Sequence, residues 1–193
     1  MRISAAEKIA TRKRIIGAAK TLFRSKGFDQ ATTRDIAKEV GIATGTMFNY
    51  FASKEAIVIE LVADALEKAQ REFQATRREK AGLSESLFAI VAAQLRHLRP
   101  LRKYIQPFAD VMLSPSVSND PNVNALRSGL NEQFEQLLHQ HGIPEVSSTQ
   151  LNIFWSLYVG VLRFWSTDKS PKQEDSLAML DQAIGMYVLW LDP

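Results

Sequence analysis

The chain contains no cysteine. Disulfides, thiolate metal sites and thiol redox sensing are therefore excluded, although this absence does not identify the compartment. No apolar run approaches the ~20 residues that a membrane-spanning helix needs. The first residues are polar and basic and lack the apolar core of a signal peptide, which predicts a cytoplasmic protein with no membrane partner. Gly-rich phosphate loops are also missing. The only histidines are His97, His139 and His141. The last two, at i,i+2, face different directions on a helix and do not easily chelate one metal. No Asp/Glu pair has a spacing that suggests acid–base work. The expectation is a protein that is not an enzyme, with no cofactor and no metal.

What is present is unevenly charged. Residues 1–54 hold eleven Lys/Arg against four Asp/Glu, while residues 55–193 hold thirteen against seventeen. The result is a head at +7 on a body at −4. A basic head fits a polyanion-binding module at one end, or merely a solvated basic helix. The 193 residues are enough for one or two domains with a real core.

The stretch over 31–57 organises the rest. Thr32 is a suitable N-cap, and Asp35 three residues on completes a capping box. Ile36, Ala37 and Val40 give a short helix its apolar face, and Gly41 stops it by taking the left-handed conformation. A second short helix follows Ile42 and runs to about Asn49, with Met47 as an anchor. Ser53 then caps a long helix. Helix, Gly-containing turn, helix is the helix-turn-helix pattern, whose second helix enters the major groove. The residues Thr32-Thr33-Arg34-Asp35-Ile36-Ala37, Gly41-Ile42, Gly45-Thr46-Met47-Phe48-Asn49-Tyr50-Phe51 and Ser53-Lys54-Glu55 resemble the DNA-binding domain of TetR-family transcriptional regulators. The resemblance covers about the first 60 residues; beyond them it rests on length and an all-helical pattern. The family usually has Tyr where this chain has Phe48, which removes one hydroxyl.

Residue chemistry assigns candidate DNA contacts. Lys54 and the amides opening its helix form an anion site suited to phosphate. Thr33, Thr46 and Tyr50 offer hydroxyls that position a protein on the backbone. Arg34 suits the bidentate contact to guanine, and Thr44 and Asn49 are candidate base or phosphate readers. Gly45 lets the recognition helix approach closely. Phe48 either packs on a thymine methyl or is a core aromatic. Arg12, Lys13 and Arg14 either meet phosphate or form a solvated face, and Arg2 is placed to reach a minor groove.

The remaining pattern is helical throughout, with about nine helices and no strand candidate. The first runs over 7–26, with Ile9, Ile16, Ala19 and Phe23 toward a small core and Phe28 dropping into it. Others are expected over 53–78, 84–98, 101–112 (bent at Pro107), 122–141, 148–166 and 173–191, with the clearest loop over 114–121. The domain division expected is a helix-turn-helix domain over 1–54 and a helical ligand-binding and dimerisation domain over 55–193.

The helix over 148–166 is apolar nearly all round, and the one over 173–191 carries Met179, Met186, Leu189 and Trp190 outside its main stripe. A helix apolar on several faces is buried on several faces. These two helices are either a central core pair or, the reading favoured here, a homodimer interface; the TetR resemblance implies a dimer formed as a four-helix bundle of the last two helices.

Pockets in helical bundles are apolar with a few polar groups. Phe88, Val91, Leu95, Phe108, Met112, Phe134, Trp155 and Tyr158 are placed around such a ligand pocket, each with ordinary core as its alternative. Arg163 either binds an anionic ligand group, pairs with a carboxylate such as Asp181, or extends to the surface. The run Arg96, Arg99, Arg102, Lys103 reads as a solvated bend. The expectation is an all-α regulator, a repressor that binds a palindromic operator as a dimer and is released by a small-molecule effector. The competing expectation is a small-molecule or protein capture module with a non-functional DNA head.

Overall fold

In a computed structural model, the structure describes residues 4–105 and 121–191, without the side chain of residue 122. Among these residues there are α-helices and short 3-10 turns and no strand. The chain divides into two compact units, residues 1–61 and 62–193.

The first unit holds α1 (Ala5–Lys26), α2 (Thr33–Val40), α3 (Thr44–Phe48) and the start of α4 (Lys54–Thr76). Ser4 caps α1, and its reciprocal hydrogen bonds with Glu7 make a capping box, so the helix starts two residues before the expected Glu7. The expected box at α2 is present: Asp35 N donates to Thr32 Oγ1 at 3.1 Å, and Thr32 N donates to Asp35 Oδ2 at 3.0 Å. Gly41 ends α2 in the left-handed region at φ 74, and its amide donates to the carbonyls of Ala37 and Lys38. The core contains Ile15, Ala19, Leu22 and Phe23 of α1, Ile36, Ala37 and Val40 of α2, and Met47, Phe51 and Ile57. The buried face of α1 is thus rotated from the expected one. Ile9 is exposed and Ile16 half-buried, because the stripe that meets α2 follows Ile15, Ala19, Leu22 and Phe23. Phe28 is half-buried, edge-on to Phe23 with centroids 5.1 Å apart.

The second unit holds the rest of α4, then α5 (Leu83–Leu98), α6 (Pro121–Gln140), α7 (Ser148–Thr167) and α8 (Glu174–Leu191). Pro100 falls in a 3-10 turn, Arg99–Leu101, at the end of α5, where its missing amide costs nothing. Residues 102–105 are helical; the remainder of the helix expected to Met112 and most of the loop expected over 114–121 lie outside the described residues. Ser147 and Gln150 form a further capping box at the start of α7. An aromatic cluster joins three helices: Phe134 of α6 meets Phe154 and Tyr158 of α7 at 4.2 and 5.7 Å, and Phe154 meets Tyr187 of α8 at 5.1 Å. Such pairs contribute roughly 0.5–1.5 kcal/mol each beyond area burial.

The connection between α7 and α8 is a built joint. Asp168 is buried and accepts from the amides of Ser170 and Ser176, at 2.7 and 3.0 Å, and from the Ser176 hydroxyl. Arg102 donates to the carbonyls of Trp165 and Asp168, and Trp165 Nε1 donates to Gln173 at 3.0 Å. The Ser176 hydroxyl, then the Ser170 contacts and the Ser176 amide, hold the Asp168 carboxyl well below the usual aspartate range. A depressed carboxyl pKa contributes stability that is complete above the unfolded-state value and fades as pH falls toward the folded one. Asp168→Asn is therefore expected to lower the melting temperature at neutral pH. It should also flatten the decline expected of the parent chain below about pH 4. Melting curves between pH 7 and pH 3 check this, and parallel declines in both chains would remove Asp168 as the cause.

Candidate nucleic-acid interface

Met47 fixes the orientation of α3. It is wholly buried, and at 100° per residue Gly45 and Asn49 lie on the opposite side of the helix, flanked by Thr46 and Phe48. Gly45, Phe48 and Asn49 are exposed, and Thr44, Thr46 and Tyr50 are half-buried. Phe48, at 50% exposure, is not a core aromatic. A Cβ built on Gly45 meets nothing within 4 Å, so nothing within the fold requires glycine there. On α2, Arg34 is exposed and Thr33 half-buried. Thr33, Arg34, Thr44, Gly45, Thr46, Phe48, Asn49 and Tyr50 thus all reach the surface of this unit to some degree.

The basic residues divide into two sets. Lys54 Nζ donates to the main-chain carbonyls of Phe28 at 2.7 Å, Asp29 at 3.3 Å and Ala31 at 3.3 Å. It also lies 4.3 Å from the centroid of the Phe28 ring. An ammonium has three donors, and here each faces a carbonyl, so Lys54 binds the connection between α1 and α2. That use differs from the phosphate contact expected of it. Ser53 caps α4 as expected, accepting from Ala56 N at 3.2 Å.

Arg12 shows the same behaviour. It makes a two-pronged contact with Glu60, donates to the carbonyl of Tyr50 at 2.9 Å and stacks 4.2 Å over Phe51. Arg14 donates to the carbonyl of Val40 at the end of α2, where a cation suits the helix terminus. By contrast, Lys13, Arg34 and Lys38 are exposed and make no hydrogen bond or ion pair among the described residues. No sequence signal separates these two sets, because the partners of Arg12 and Lys54 are main-chain carbonyls and a carboxylate 23 to 48 positions away.

In the second unit, an apolar cavity of about 10 Å³ lies among α5, α7 and α8, lined by Val91, Phe154, Leu157, Tyr158, Val161, Leu180, Ala183 and Ile184. Of the expected ligand residues, Val91 and Tyr158 line it. Leu95, Phe134 and Trp155 are buried elsewhere in the core and Phe88 is half-buried. Phe108 and Met112 lie outside the described residues. Arg163 is exposed, on the side of α7 away from Tyr158 and Val161. The basic run is not simply solvated: Arg96 pairs with Glu72, His97 Nε2 lies 2.8 Å from the same carboxylate, and Arg102 serves the α7–α8 joint.

Two apolar stripes on α7 and α8 reach solvent. Ile153 and Phe164 lie on one line along α7, and Met179, Met186 and Trp190 on one line along α8, with Leu189 beside it. Among the described residues no group of three or more His, Cys, Asp or Glu side chains could hold a metal ion, and no helix is long and apolar enough to cross a membrane.

Residues 15–61 match the family described as bacterial regulatory proteins, tetR family. The chain is 36% identical over 64 residues to the HTH-type transcriptional regulator UidR of Escherichia coli K12, an alignment spanning 33% of each chain. The match thus covers about a third of the curated relative's length. Among solved structures, the chain is similar to a TetR transcriptional regulator from Nitrosomonas europaea, with a TM-score of 0.70, 16% identity and 92% and 98% of the two chains covered. It is also similar to Thermus thermophilus FadR, a TetR-family repressor solved with lauroyl-CoA, with a TM-score of 0.68, 23% identity and 92% and 93% covered. These likenesses extend the shared fold beyond the first 61 residues, while the match to the tetR family of bacterial regulatory proteins itself covers residues 15–61.

Proposed function

We propose that the chain is a dimeric, ligand-responsive transcriptional repressor that reads a palindromic operator. The observation that carries this reading is the orientation of α3: Met47 anchors it, and Gly45, Phe48 and Asn49 present an uncharged, shallow surface to solvent. Gly45 allows close approach to the groove, Asn49 and Thr44 contact base edges or phosphates, and Phe48 packs on a thymine methyl. Arg34 contacts guanine, while Thr33, Thr46 and Tyr50 hold the phosphate backbone. Lys54 and Arg12 set the geometry of the unit instead of touching DNA, and Lys13 and Lys38 supply its outward charge.

The exposed stripes of α7 and α8 pair with those of a second copy. A two-fold dimer presents two α3 helices to half-sites about one turn apart or somewhat more. A small molecule taken up among α5, α7 and α8 changes the separation of the two heads and releases the operator.

The test is binding to DNA flanking the protein's own gene at two salt concentrations. About six phosphate contacts per dimer imply a loss of about a thousandfold in affinity between 50 and 200 mM salt. Selective binding with that slope is the expected result. Weak, unselective binding to every fragment, including a genomic library, would leave the capture module as the better account.

A further inference from the structure

Gln94 sits on α5 one turn beyond Val91, on the same face, and is fully buried. Among the described residues, neither its amide nitrogen nor its amide oxygen has a hydrogen-bond partner, and the Tyr158 hydroxyl, also buried, has none. A buried polar group left unpaired has given up its hydrogen bonds to water with nothing in return, which destabilises the fold. Folded chains rarely accept that cost three times in one core without a role for the groups. Val91 and Tyr158 both line the apolar cavity among α5, α7 and α8. Among the described residues the lining contains no charged side chain, and Arg163 is turned away from it.

We infer that this core is a binding site for an electrically neutral amphiphile whose polar head carries both a hydrogen-bond donor and an acceptor, the primary or secondary amide being the simplest such group. The Gln94 carboxamide offers one donor edge and one acceptor, which an amide head satisfies reciprocally. The Tyr158 hydroxyl adds a further donor or acceptor. Burial pushes its pKa up, so it stays protonated throughout the physiological range. The aliphatic part occupies the space between Val91, Val161, Leu180 and Ile184. A carboxylate or ammonium head finds no counter-charge among the described lining residues, and burying an unpaired ion is far more costly than burying an amide. At about 10 Å³ the cavity holds at most one water, so occupancy requires α7 or α8 to move aside. This inference rests on the effector site of the proposed function and specifies the ligand class it takes.

The experiment compares octanamide, octanoate and octylamine for direct binding to the full chain without DNA, by calorimetry and by thermal shift. Octanamide is expected to bind at least tenfold more tightly than either charged analogue. Gln94→Leu is expected to weaken octanamide at least tenfold while raising the unliganded melting temperature by a few degrees, because it removes two unpaired buried atoms. Tyr158→Phe, which deletes one hydroxyl, is expected to weaken it severalfold with the melting temperature unchanged or raised. Equal binding of octanoate, no binding of octanamide at millimolar concentration, or unchanged octanamide affinity in both variants overturns the inference. Operator binding measured separately distinguishes the two readings: intact operator binding without octanamide binding removes only the ligand class. Octanamide binding without operator binding removes only the regulator.

Discussion

Phe164→Glu combined with Met186→Glu is expected to turn a dimer into a monomer and to cut operator affinity by two orders of magnitude or more. Each substitution interrupts one of the two exposed stripes, that of α7 and that of α8, at 41% and 61% exposure. Because both side chains already face solvent within the chain, charging them removes little from the fold of the subunit itself. In a two-fold interface each glutamate appears twice, so the pair places four negative charges in an apolar contact where none has a partner. A specific interface buries about 800 Å² per partner, and charges left unpaired at its centre cost several kcal/mol. The DNA consequence is larger than the contact loss because two linked reading heads bind with an effective concentration that a monomer lacks, worth about 10²- to 10⁴-fold. Light scattering at micromolar concentration and operator titration measure the two effects. A variant that stays dimeric and keeps its affinity would place the interface elsewhere on the chain.

The local signals of the sequence were sound guides. Thr32 with Asp35, Gly41 and Ser53 specify hydrogen bonds within four residues, and each is found as the residue types require. The same logic applied to Ser4 and Glu7 would have moved the start of α1 to its true place. Helical periodicity was less decisive where several apolar residues share a turn. Ile9 and Ile16 fit the period of α1 as well as Ile15 and Leu22 do, and only the position of α2 decides between them.

The roles of the charged residues were least legible, for a physical reason. A cation in a basic head invites an anionic partner, yet the carbonyls left over at helix ends are equally good acceptors and leave no mark in the sequence. Arg14 found such a carbonyl at the end of α2, Lys54 found three in the connection between α1 and α2, and Arg12 found both a carbonyl and Glu60. The +7 charge of the head therefore overstates what it would offer to a polyanion. Asp168 hides its role similarly: one aspartate in a polar loop becomes the acceptor that fixes the entry to α8 only once Ser170 and Ser176 are brought round to it. Arg163, unusual as a charge within an apolar helix, proves to occupy the exposed side of α7.

A pair of substitutions in the first unit separates reading from support, with effects in opposite directions. Gly45→Ala is expected to leave the fold intact and to raise its stability by up to about 1 kcal/mol, the difference in helix propensity between the two residues. The new Cβ meets nothing within 4 Å in the protein, and Gly45 has no positive φ that would penalise it. On the proposed operator complex the same methyl group, opposite Met47, would stand on the side turned to the groove, and it is expected to weaken binding at least tenfold.

Lys54→Met should do the reverse. Its ammonium serves the carbonyls of Phe28, Asp29 and Ala31, and losing a charged donor to them is expected to cost about 2 kcal/mol. Measured at a temperature where the variant is still folded, operator affinity should fall by no more than a few-fold, and the salt slope should keep its value because no phosphate contact is lost. Melting curves and salt titrations on the two variants give four numbers, and the crossed pattern is what the proposed reading requires. Undiminished operator binding in Gly45→Ala would take α3 out of the groove. Wild-type melting in Lys54→Met with a shallower salt slope would return that lysine to the DNA backbone, and its carbonyl contacts would then belong to the unbound state alone.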